Sequence, residues 1–519
     1  MASSPAIVRP LGDFERYMEA DYFLDYLRSN CFSCRYNLPG ELVDSSTDED
    51  VHNRFIQALA RTIIDNPMLH AVLVNAEGKR PKFARLEELN LHDMVEWRVI
   101  SKSEDYSQTT DMIINQQVDQ VFSNPDTLPG WRILVTRLDG ESFLDVHLMV
   151  RHTMLDGDSR KILNTSLLGH LNSPIENKEQ QSLVLHGHTL KIPSQGPAFP
   201  PPMEKYGDFS LGLKFILSLA WQELRPGFLQ KPSATAKAWG PFKVDDYKTE
   251  RRTIRINPEH TQKLIQRCRA HQTTITGFLH GAILASLMWE CSDTVQSQSY
   301  SATSAVNLRR FMPDRPKAMS DTHMDPAKTI VNMLTVIDHE FDVKSVQNLL
   351  QLIKPTDEKP TDCRHYEDIV WATAVETRSS IQKKLNKGLK NDVMGALKLV
   401  SDWRSEKKAS WKKPRRESWT LTNLGVFDGQ KPTNTDEKRN NWHVDHVLFA
   451  PSVDVSRSLF MISAISVKDG DMCIGIAWQS GLGEYVDTVG NRLTRDIYSW
   501  CNYIATSEWS DDWVQRSFA

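Results

Sequence analysis

Disulfide frameworks and cysteine-rich metal sites find little support in this sequence, because its 519 residues include only seven cysteines. An odd, scattered set of cysteines is typical of free thiols in a reducing compartment. The one close pair, Cys31-x-x-Cys34, has no second pair at zinc spacing. We therefore predict neither a disulfide framework nor a bound metal.

Charge of one sign is also missing. Lysine and arginine number 62 and aspartate and glutamate number 66, which leaves a formal net charge of -4. Proteins that bind nucleic acid through their overall field carry a large positive excess, so no nucleic-acid partner is expected. One local basic cluster stands out, and a solvated loop is its plainest interpretation. Its members are Lys407, Lys408, Lys412, Lys413, Arg415 and Arg416.

No apolar run is long enough to span a bilayer. The longest, Phe278 to Trp289, is interrupted by His280 and falls well short of about 20 residues. Charged side chains are spread through the first 25 residues, so no secretory signal is expected. We therefore expect a cytoplasmic location. The apolar segment Phe209 to Leu224 fits either a packed helix or a helix in peripheral contact with a membrane. We favour packing, because its polar face lacks a run of lysine and arginine.

The length predicts more than one domain. Mixed helical and strand periodicity indicates an α/β chain with a first subdomain at 1–190, a Pro-rich crossover at 191–247 and a second subdomain at 248–519. The predicted strands are 71–74, 97–100, 131–138, 142–152, 419–422, 444–449, 459–465 and 472–478. The predicted helices are 55–64, 258–271, 274–290, 343–353, 365–385 and 485–504.

The clearest local signal is a hairpin with Asp139-Gly140 at its turn. In its second strand, apolar residues alternate onto one face and His152 continues that face; they are Leu144, Val146, Leu148 and Val150. A half-buried imidazole at the end of a strand can have its pKa held near or below neutrality, which leaves it free to accept a proton. A core histidine with a satisfied hydrogen bond is the alternative, and these residues alone do not decide between the two.

Asp156 and Gly157 follow His152 in a turn that leads into a helical pattern. Asp156 is too close to His152 on a tight bend to be assumed a partner of the ring. A carboxylate at this position can instead anchor the loop by pairing with an arginine elsewhere in the chain.

Four segments in order resemble the alcohol acetyltransferase-like branch of a superfamily. That superfamily includes chloramphenicol acetyltransferase, plant BAHD acyltransferases and peptide-synthetase condensation domains. The segments are Arg9-Pro-Leu-Gly-Asp-Phe-Glu-Arg16, His152-x-x-x-Asp156-Gly157, Ser304-Ala-Val-Asn-Leu-Arg-Arg310 and Trp419-Thr-Leu-Thr-Asn-Leu-Gly425. The resemblance implies α/β two-layer sandwiches arranged as a pseudo-dimer of two chloramphenicol-acetyltransferase-like subdomains, with a tunnel between them.

The resemblance also implies roles for single residues. His152, in the motif with Asp156 and Gly157, would take a proton from an acceptor hydroxyl or amine, which then attacks the thioester of an acyl-CoA. Asp156 would point away and pair with Arg309. Two further motif residues, Thr422 and Asn423, would lie near the oxyanion that forms.

Acetyl-CoA is the commonest donor in the resembling branch, and a small or medium apolar alcohol or secondary metabolite is the expected acceptor. The basic residues Lys412 and Lys413 precede the Trp419 strand, so contact with CoA phosphates is a hypothesis for them. A chain that contains both subdomains can complete its tunnel alone, which favours a monomer.

Two departures from the superfamily keep other functions open. Arg151 replaces the second histidine of condensation domains, and the Asp-Phe-Gly-Trp-Gly segment of plant relatives is absent. The alternatives to a CoA-dependent transferase are a condensing or cyclising enzyme that works without CoA and a member that binds a ligand without turnover.

Overall fold

Strands and helices alternate through both halves of the chain. The computed structural model describes residues 5–45, 47–174, 185–224, 247–290, 298–353, 363–411, 415 and 417–507. The strands of the first half are β1 Ala6–Pro10, β2 Asn30–Asn37, β3 Ala71–Val74, β4 Lys82–Arg85, β5 Glu88–Asn90, β6 Val95–Ile100, β7 Trp131–Leu138, β8 Phe143–Val150, β9 Leu185–His186 and β10 Thr189–Lys191. Its helices are α1 Asp13–Phe23, α2 Gly40–Ser45, α3 Asp48–Asp65, α4 Tyr106–Val118, α5 Gly157–Leu171, α6 Met203–Tyr206 and α7 Leu213–Leu224.

The second half repeats this mixture. Its strands are β11 Thr249–Ile256, β12 Tyr300–Asn307, β13 Leu334–Phe341, β14 Glu417–Phe427, β15 His443–Pro451, β16 Ser458–Val467 and β17 Met472–Gln479. Its helices are α8 Pro258–Ala270, α9 Ile275–Glu290, α10 Val343–Leu350, α11 Glu367–Leu385, α12 Val393–Ala396, α13 Trp403–Ser410, α14 Thr435–Asn440 and α15 Glu484–Thr506.

Two large sheets carry the two halves, and one strand links them. The five-stranded sheet has the order β15-β2-β8-β7-β6, and the six-stranded sheet has the order β11-β17-β16-β14-β12-β13. Although β15 belongs to the second half by sequence, it pairs antiparallel with β2, from His443 opposite Asn37 to Pro451 opposite Asn30. The first sheet is therefore completed by the second half, which fixes the two halves against each other.

Helix α9 is apolar around its whole circumference because it is buried on all sides. Two of its glycines, Gly277 and Gly281, lie one turn apart against α11. An added Cβ would lie 2.5 Å from the Ala374 carbonyl oxygen at Gly277 and 2.2 Å from the Val370 carbonyl oxygen at Gly281. The glycines let two helix backbones approach closely, which closes the core of the second half beside its sheet.

The predicted strands and helices are confirmed as elements, with differences at their ends. Thr274 caps α9 as expected, since its Oγ1 accepts a hydrogen bond from the Gly277 N–H at 3.2 Å. Strand β8 ends at Val150 and not at His152, because the Arg151 N–H donates to the Gly130 carbonyl and the chain then turns. His152 therefore lies in the turn that follows the strand.

The packing expected for the apolar segment Phe209 to Leu224 involves one face of α7, since Phe215, Ile216 and Leu219 are half-buried, whereas Leu213, Leu217 and Trp221 are exposed. Phe209 is buried, but no described side chain of α7 is buried. Of the part of the chain that the structure describes, no helix combines the length and the apolar character needed to cross a membrane. The six described cysteines are buried.

Candidate functional site

A cavity of about 330 Å³ lies between the two halves. His152 and Phe14 of the first half and Thr422, Leu424 and Phe449 of the second half are among its lining residues. Most of its wall is apolar, and polar side chains contribute the rest. Such a cavity suits a small organic ligand held in place by a few polar contacts.

The backbone around His152 is held by side chains from distant parts of the sequence. The His152 N–H donates to the Tyr22 hydroxyl at 2.6 Å, and the Asn332 amide donates to the His152 carbonyl at 3.1 Å and to the Thr153 carbonyl at 2.9 Å. Glu19 in α1 accepts from Thr153 at 2.9 Å and pairs with Arg151 at 2.5 Å. The turn is thus fixed on both sides of the histidine.

The ring of His152 is oriented toward the cavity. It packs edge to face on Phe14, with 6.1 Å between the ring centroids. Nδ1 is a buried atom, whereas Nε2 is not among the buried atoms without a partner, and the residue lines the cavity. Nε2 is therefore the ring nitrogen that a ligand in the cavity can reach.

The surroundings of His152 keep its ring neutral. The pKa of His152 is lowered to about 4, mainly by burial and next by the positive charge of Arg160. Hydrogen bonding to its own backbone and to Asn332, and the negative charge of Asp156, oppose this shift of the pKa. At neutral pH the imidazole is consequently unprotonated and can accept a proton.

Asp156 and Arg309 form a buried ion pair that joins the two halves. Arg309 Nη1 lies 2.7 Å from Asp156 Oδ2, and Arg309 Nη2 lies 3.0 Å from Asp156 Oδ1. Asp156 also caps α5 through the Ser159 N–H at 2.7 Å and accepts from the Met333 N–H at 2.8 Å. Burial alone would raise the pKa of Asp156, but the Arg309 charge and these hydrogen bonds hold it at about 2.

Arg309 lies just beyond the end of a strand. Strand β12 ends at Asn307, and Arg309 begins a single 3-10 turn. From there its guanidinium also donates to Ser159 Oγ at 2.9 Å and to the Val331 carbonyl at 2.8 Å. The arginine therefore attaches the second half to the first turn of α5, directly after the His152 turn.

Gly157 allows the second half to approach that turn. A Cβ added at Gly157 would lie 2.3 Å from Leu424 Cδ2. Leu424 belongs to β14 and is part of the core of the first half. A larger residue at position 157 would require the Leu424 side chain to move.

Thr422 and Asn423 both line the cavity, but their side chains are placed differently. The Asn423 amide donates to Thr276 Oγ1 at 3.1 Å, and its Oδ1 accepts from the Gly425 N–H at 2.8 Å. The Thr422 hydroxyl makes no hydrogen bond to a described residue. Of the two, Thr422 has the hydroxyl that is free to donate to a ligand.

The basic cluster does not form a single surface patch. Lys412 and Lys413 lie outside the described residues. Lys407 is buried and pairs with Asp21 at 2.5 Å, while Arg415 is buried and donates to the Ser458 carbonyl at 3.0 Å. Two of the six cations are therefore structural, and only Lys408 is seen to be exposed.

Sequence reasoning missed Tyr22, Asn332 and Arg160. Tyr22 and Asn332 act on His152 from 130 and 180 residues away, and no local pattern announces such contacts. Arg160 follows Asp156 by one helical turn, but nothing in that spacing indicates that its side chain is completely buried. Its guanidinium lies 5.2 Å from the Phe449 ring, and none of its nitrogens has a hydrogen-bond partner among the described residues.

Metal ligation is not indicated in the part of the chain that the structure describes, where no group of three or more His, Cys, Asp or Glu side chains could hold an ion. The cavity itself offers the neutral imidazole of His152 and the hydroxyl of Thr422, with apolar walls and charged side chains that include Asp338, Glu417 and Arg457.

Comparison with known proteins identifies the family of this chain. The sequence profile of alcohol acetyltransferases matches residues 55–484. The chain belongs to the alcohol acetyltransferase family. It is accordingly an acyltransferase, and the family resemblance predicted from the four sequence segments is confirmed.

Curated relatives of this alcohol acetyltransferase family member match most of its length. The probable alcohol acetyltransferase FCK4 of Fusarium pseudograminearum is 25% identical over 82% of this chain and 81% of its own. The probable alcohol acetyltransferase crmB of Aspergillus fumigatus is 20% identical over 94% of this chain and 98% of its own. The N-acetyltransferase SLI1 of Saccharomyces cerevisiae is 23% identical over 90% and 95%.

Solved structures confirm the fold that the resemblance predicts. The trichothecene 15-O-acetyltransferase TRI3 of Fusarium sporotrichioides has a TM-score of 0.65 at 13% identity, covering 96% of this chain and 99% of its own. The condensation domain of the Monacolin K polyketide synthase MokA has a TM-score of 0.53 at 11% identity, covering 97% and 98%. The architecture is the chloramphenicol-acetyltransferase-like pseudo-dimer with its cavity between two α/β subdomains.

Proposed function

We propose that this protein transfers an acetyl group from acetyl-CoA to a hydroxyl group of a small or medium apolar acceptor, such as a secondary metabolite. His152 is the general base. The observation that carries the proposal is the neutral His152 ring, whose Nε2 faces an apolar cavity between the two halves. Family membership and the names of FCK4, crmB and TRI3 support the reaction class and the acceptor type.

The proposed reaction needs no nucleophile from the protein. His152 Nε2 takes the proton of the acceptor hydroxyl as its oxygen attacks the thioester carbonyl. The tetrahedral intermediate collapses, the carbon–sulfur bond breaks, and the CoA thiolate leaves and recovers the proton from His152. During the first step the Thr422 hydroxyl is available to donate to the oxyanion. A positioned base contributes about 10²- to 10⁴-fold and an oxyanion donor about 10²- to 10³-fold.

Condensation without CoA is the less favoured alternative. Where condensation domains have a second histidine, Arg151 lies 2.5 Å from Glu19 and its guanidinium stacks on Tyr22. This arginine supports the turn and offers no second base. An amine acceptor stays in consideration because the relative SLI1 is named an N-acetyltransferase.

The deciding experiment is acceptor-dependent release of free CoA, followed with a thiol reagent. The purified protein would receive acetyl-CoA with a panel of apolar alcohols and matched amines. We expect release with alcohols and less with amines. The proposal would be contradicted if the rate of CoA release were the same with and without an alcohol or amine. It would also be contradicted if calorimetry detected no binding of acetyl-CoA. Gel filtration of the same sample tests the proposal that the chain acts as a monomer.

Arg160→Met should move the acid limb of the pH profile of kcat/KM. In the native protein the limb should fall near pH 4, because burial and the Arg160 charge lower the pKa of His152 to about 4. Without the arginine charge one of these causes is lost, so the pKa of His152 rises and the limb moves to higher pH. Arg160→Lys keeps the charge and is the matched control, with a limb near its native position. An unmoved limb in Arg160→Met would show that this charge does not act on the base.

Charge reversal at Lys412 and Lys413 tests the hypothesis that these residues contact CoA phosphates. Lys412→Glu/Lys413→Glu is expected to raise the KM for acetyl-CoA by about tenfold, with little change in the KM for the acceptor. The exposed residue Lys408 lies in the same basic cluster, so Lys408→Glu serves as the control. A KM for acetyl-CoA equal to that of the native protein would remove these lysines from the binding site.

A further inference from the structure

Helix α7 presents an apolar stripe to solvent. Leu213, Leu217 and Trp221 follow one another at intervals of four residues, so they share one face of the helix. Their side chains are 72%, 59% and 60% exposed. Three large apolar side chains on one exposed helix face leave in water a surface whose burial would be favourable.

Lysine side chains stand beside this stripe. Lys214 is exposed on α7 itself, and Lys387 and Lys390 are exposed on the segment after α11. None of these three lysines forms an ion pair with a described carboxylate. These three residues form the lysine cluster, which places positive charge on α7 and on the segment after α11.

Direct hydrogen bonds fix the lysine segment against the start of α7. The Asn391 N–H donates to the Ser210 carbonyl at 2.9 Å, and Asn391 Oδ1 accepts from the Gly212 N–H at 2.7 Å. Lys390 is the residue next to Asn391. The positive charges are therefore contributed by a neighbouring segment, which explains why the sequence of α7 alone suggested packing.

We propose that the α7 stripe and the lysine cluster together form a docking surface for an anionic lipid membrane. Leu and Trp side chains on a surface helix enter the boundary between headgroups and acyl chains, and basic side chains contact anionic headgroups. A tryptophan at the edge of such a face suits the interfacial region.

The size of the face argues against a second protein chain as its partner. Helix α7 has 12 residues, so it is about 18 Å long and about 10 Å wide. It therefore offers about 180 Å², well below the roughly 800 Å² that each partner contributes to a stable protein interface. A lipid surface has no such minimum, because each side chain that inserts adds to the binding.

The docking surface lies close to the cavity wall. A Cβ added at Gly395 of α12 would lie 2.9 Å from Phe209 and 3.2 Å from Leu211, which lead into α7. The same helix contributes Val393 and Met394 to the cavity. Only one short helix therefore separates the lipid-facing segment from the acceptor cavity.

Vesicle co-sedimentation of the full chain tests the proposal. We expect binding to vesicles of phosphatidylcholine with phosphatidylserine, weaker binding to phosphatidylcholine alone, and loss of binding as salt is raised. Leu217→Ser/Trp221→Ser should lower binding by about tenfold or more. Lys387→Glu/Lys390→Glu should lower it by about fivefold per lysine on anionic vesicles only.

Two matched variants serve as controls, and several outcomes would contradict the proposal. Val99→Ser removes an apolar side chain that is 66% exposed on β6, and Lys344→Glu reverses an exposed lysine on α10; both should bind vesicles like the native protein. Absence of sedimentation, or equal binding by Leu217→Ser/Trp221→Ser, would overturn the proposal. So would a dimer on gel filtration that Trp221→Ser abolishes, or a raised KM for acetyl-CoA in the lysine variant with unchanged vesicle binding. CoA release by the native protein, measured without vesicles, tests the proposed transferase function separately from vesicle binding.

Discussion

His152→Ala is expected to lower kcat by about 10²- to 10⁴-fold, the usual contribution of a positioned general base. The ring is neutral because its pKa is about 4, and Nε2 is its reachable nitrogen. No other histidine lines the cavity among the described residues. The KM for acetyl-CoA should change little, because the imidazole acts on the acceptor hydroxyl. The measurement is steady-state CoA release with the best alcohol of the panel.

The fold of His152→Ala should survive the loss of the ring. The Tyr22 hydroxyl accepts from the backbone N–H of residue 152, and the Asn332 amide donates to its backbone carbonyl, so both hydrogen bonds can form without the ring. The melting temperature should therefore stay close to the native value. His170→Ala serves as the control and should keep native turnover. His170 lies away from the cavity, and its Nε2 is 2.9 Å from Asp65 Oδ2. A fully active His152→Ala protein would refute the proposed mechanism.

The elements of the fold could be predicted from the sequence where the pattern is local. The β7–β8 hairpin and helices α9 and α11 show their periodicity or turn residues directly, and they appear close to the expected bounds. The placement of β15 in the sheet of the first half could not be predicted. Strand pairing between residues 400 positions apart leaves no local trace, because any half-buried strand has the same alternation.

The candidate site divides in the same way. His152, Asp156 and Gly157 could be singled out because they are adjacent in one motif, and Arg309 came only from the family resemblance. Tyr22 and Asn332 hold the histidine through single hydrogen bonds made by ordinary polar residues. The exposed face of α7 was also missed, since its lysine neighbours are contributed by a segment more than 160 residues further along the chain.

Asp156→Asn is expected to destabilise the protein by about 3–5 kcal/mol, the usual cost of leaving one partner of a buried pair uncompensated. Arg309 would keep its buried charge with only hydroxyl and carbonyl partners. Turnover should fall as well, because Asp156 caps α5 directly after the His152 turn. The melting temperature and kcat of the purified variant measure the two effects.

Asp158→Asn is the matched control. Asp158 is two residues away in the same helix and pairs with Lys161 at 2.7 Å, but this pair is about one-fifth exposed. A pair that water partly reaches contributes less than a fully buried one, so this variant should lose less stability than Asp156→Asn. Equal losses in the two variants would show that the effect comes from charge in this helix and not from the buried pair.

Removing both charges distinguishes an uncompensated charge from a lost attraction. In Asp156→Leu/Arg309→Met no unpaired charge remains, so the double variant should be more stable than Asp156→Asn.

Acid titration is an independent test of the ion pair. The pKa of Asp156 is about 2 in the folded protein and about 3.9 when unfolded, so its contribution is present above pH 4 and is lost as the pH falls toward 2. The double variant should lack this part of the acid-induced destabilisation. If it unfolds with the native pH dependence, the ion pair is not what ties the second half to the His152 turn.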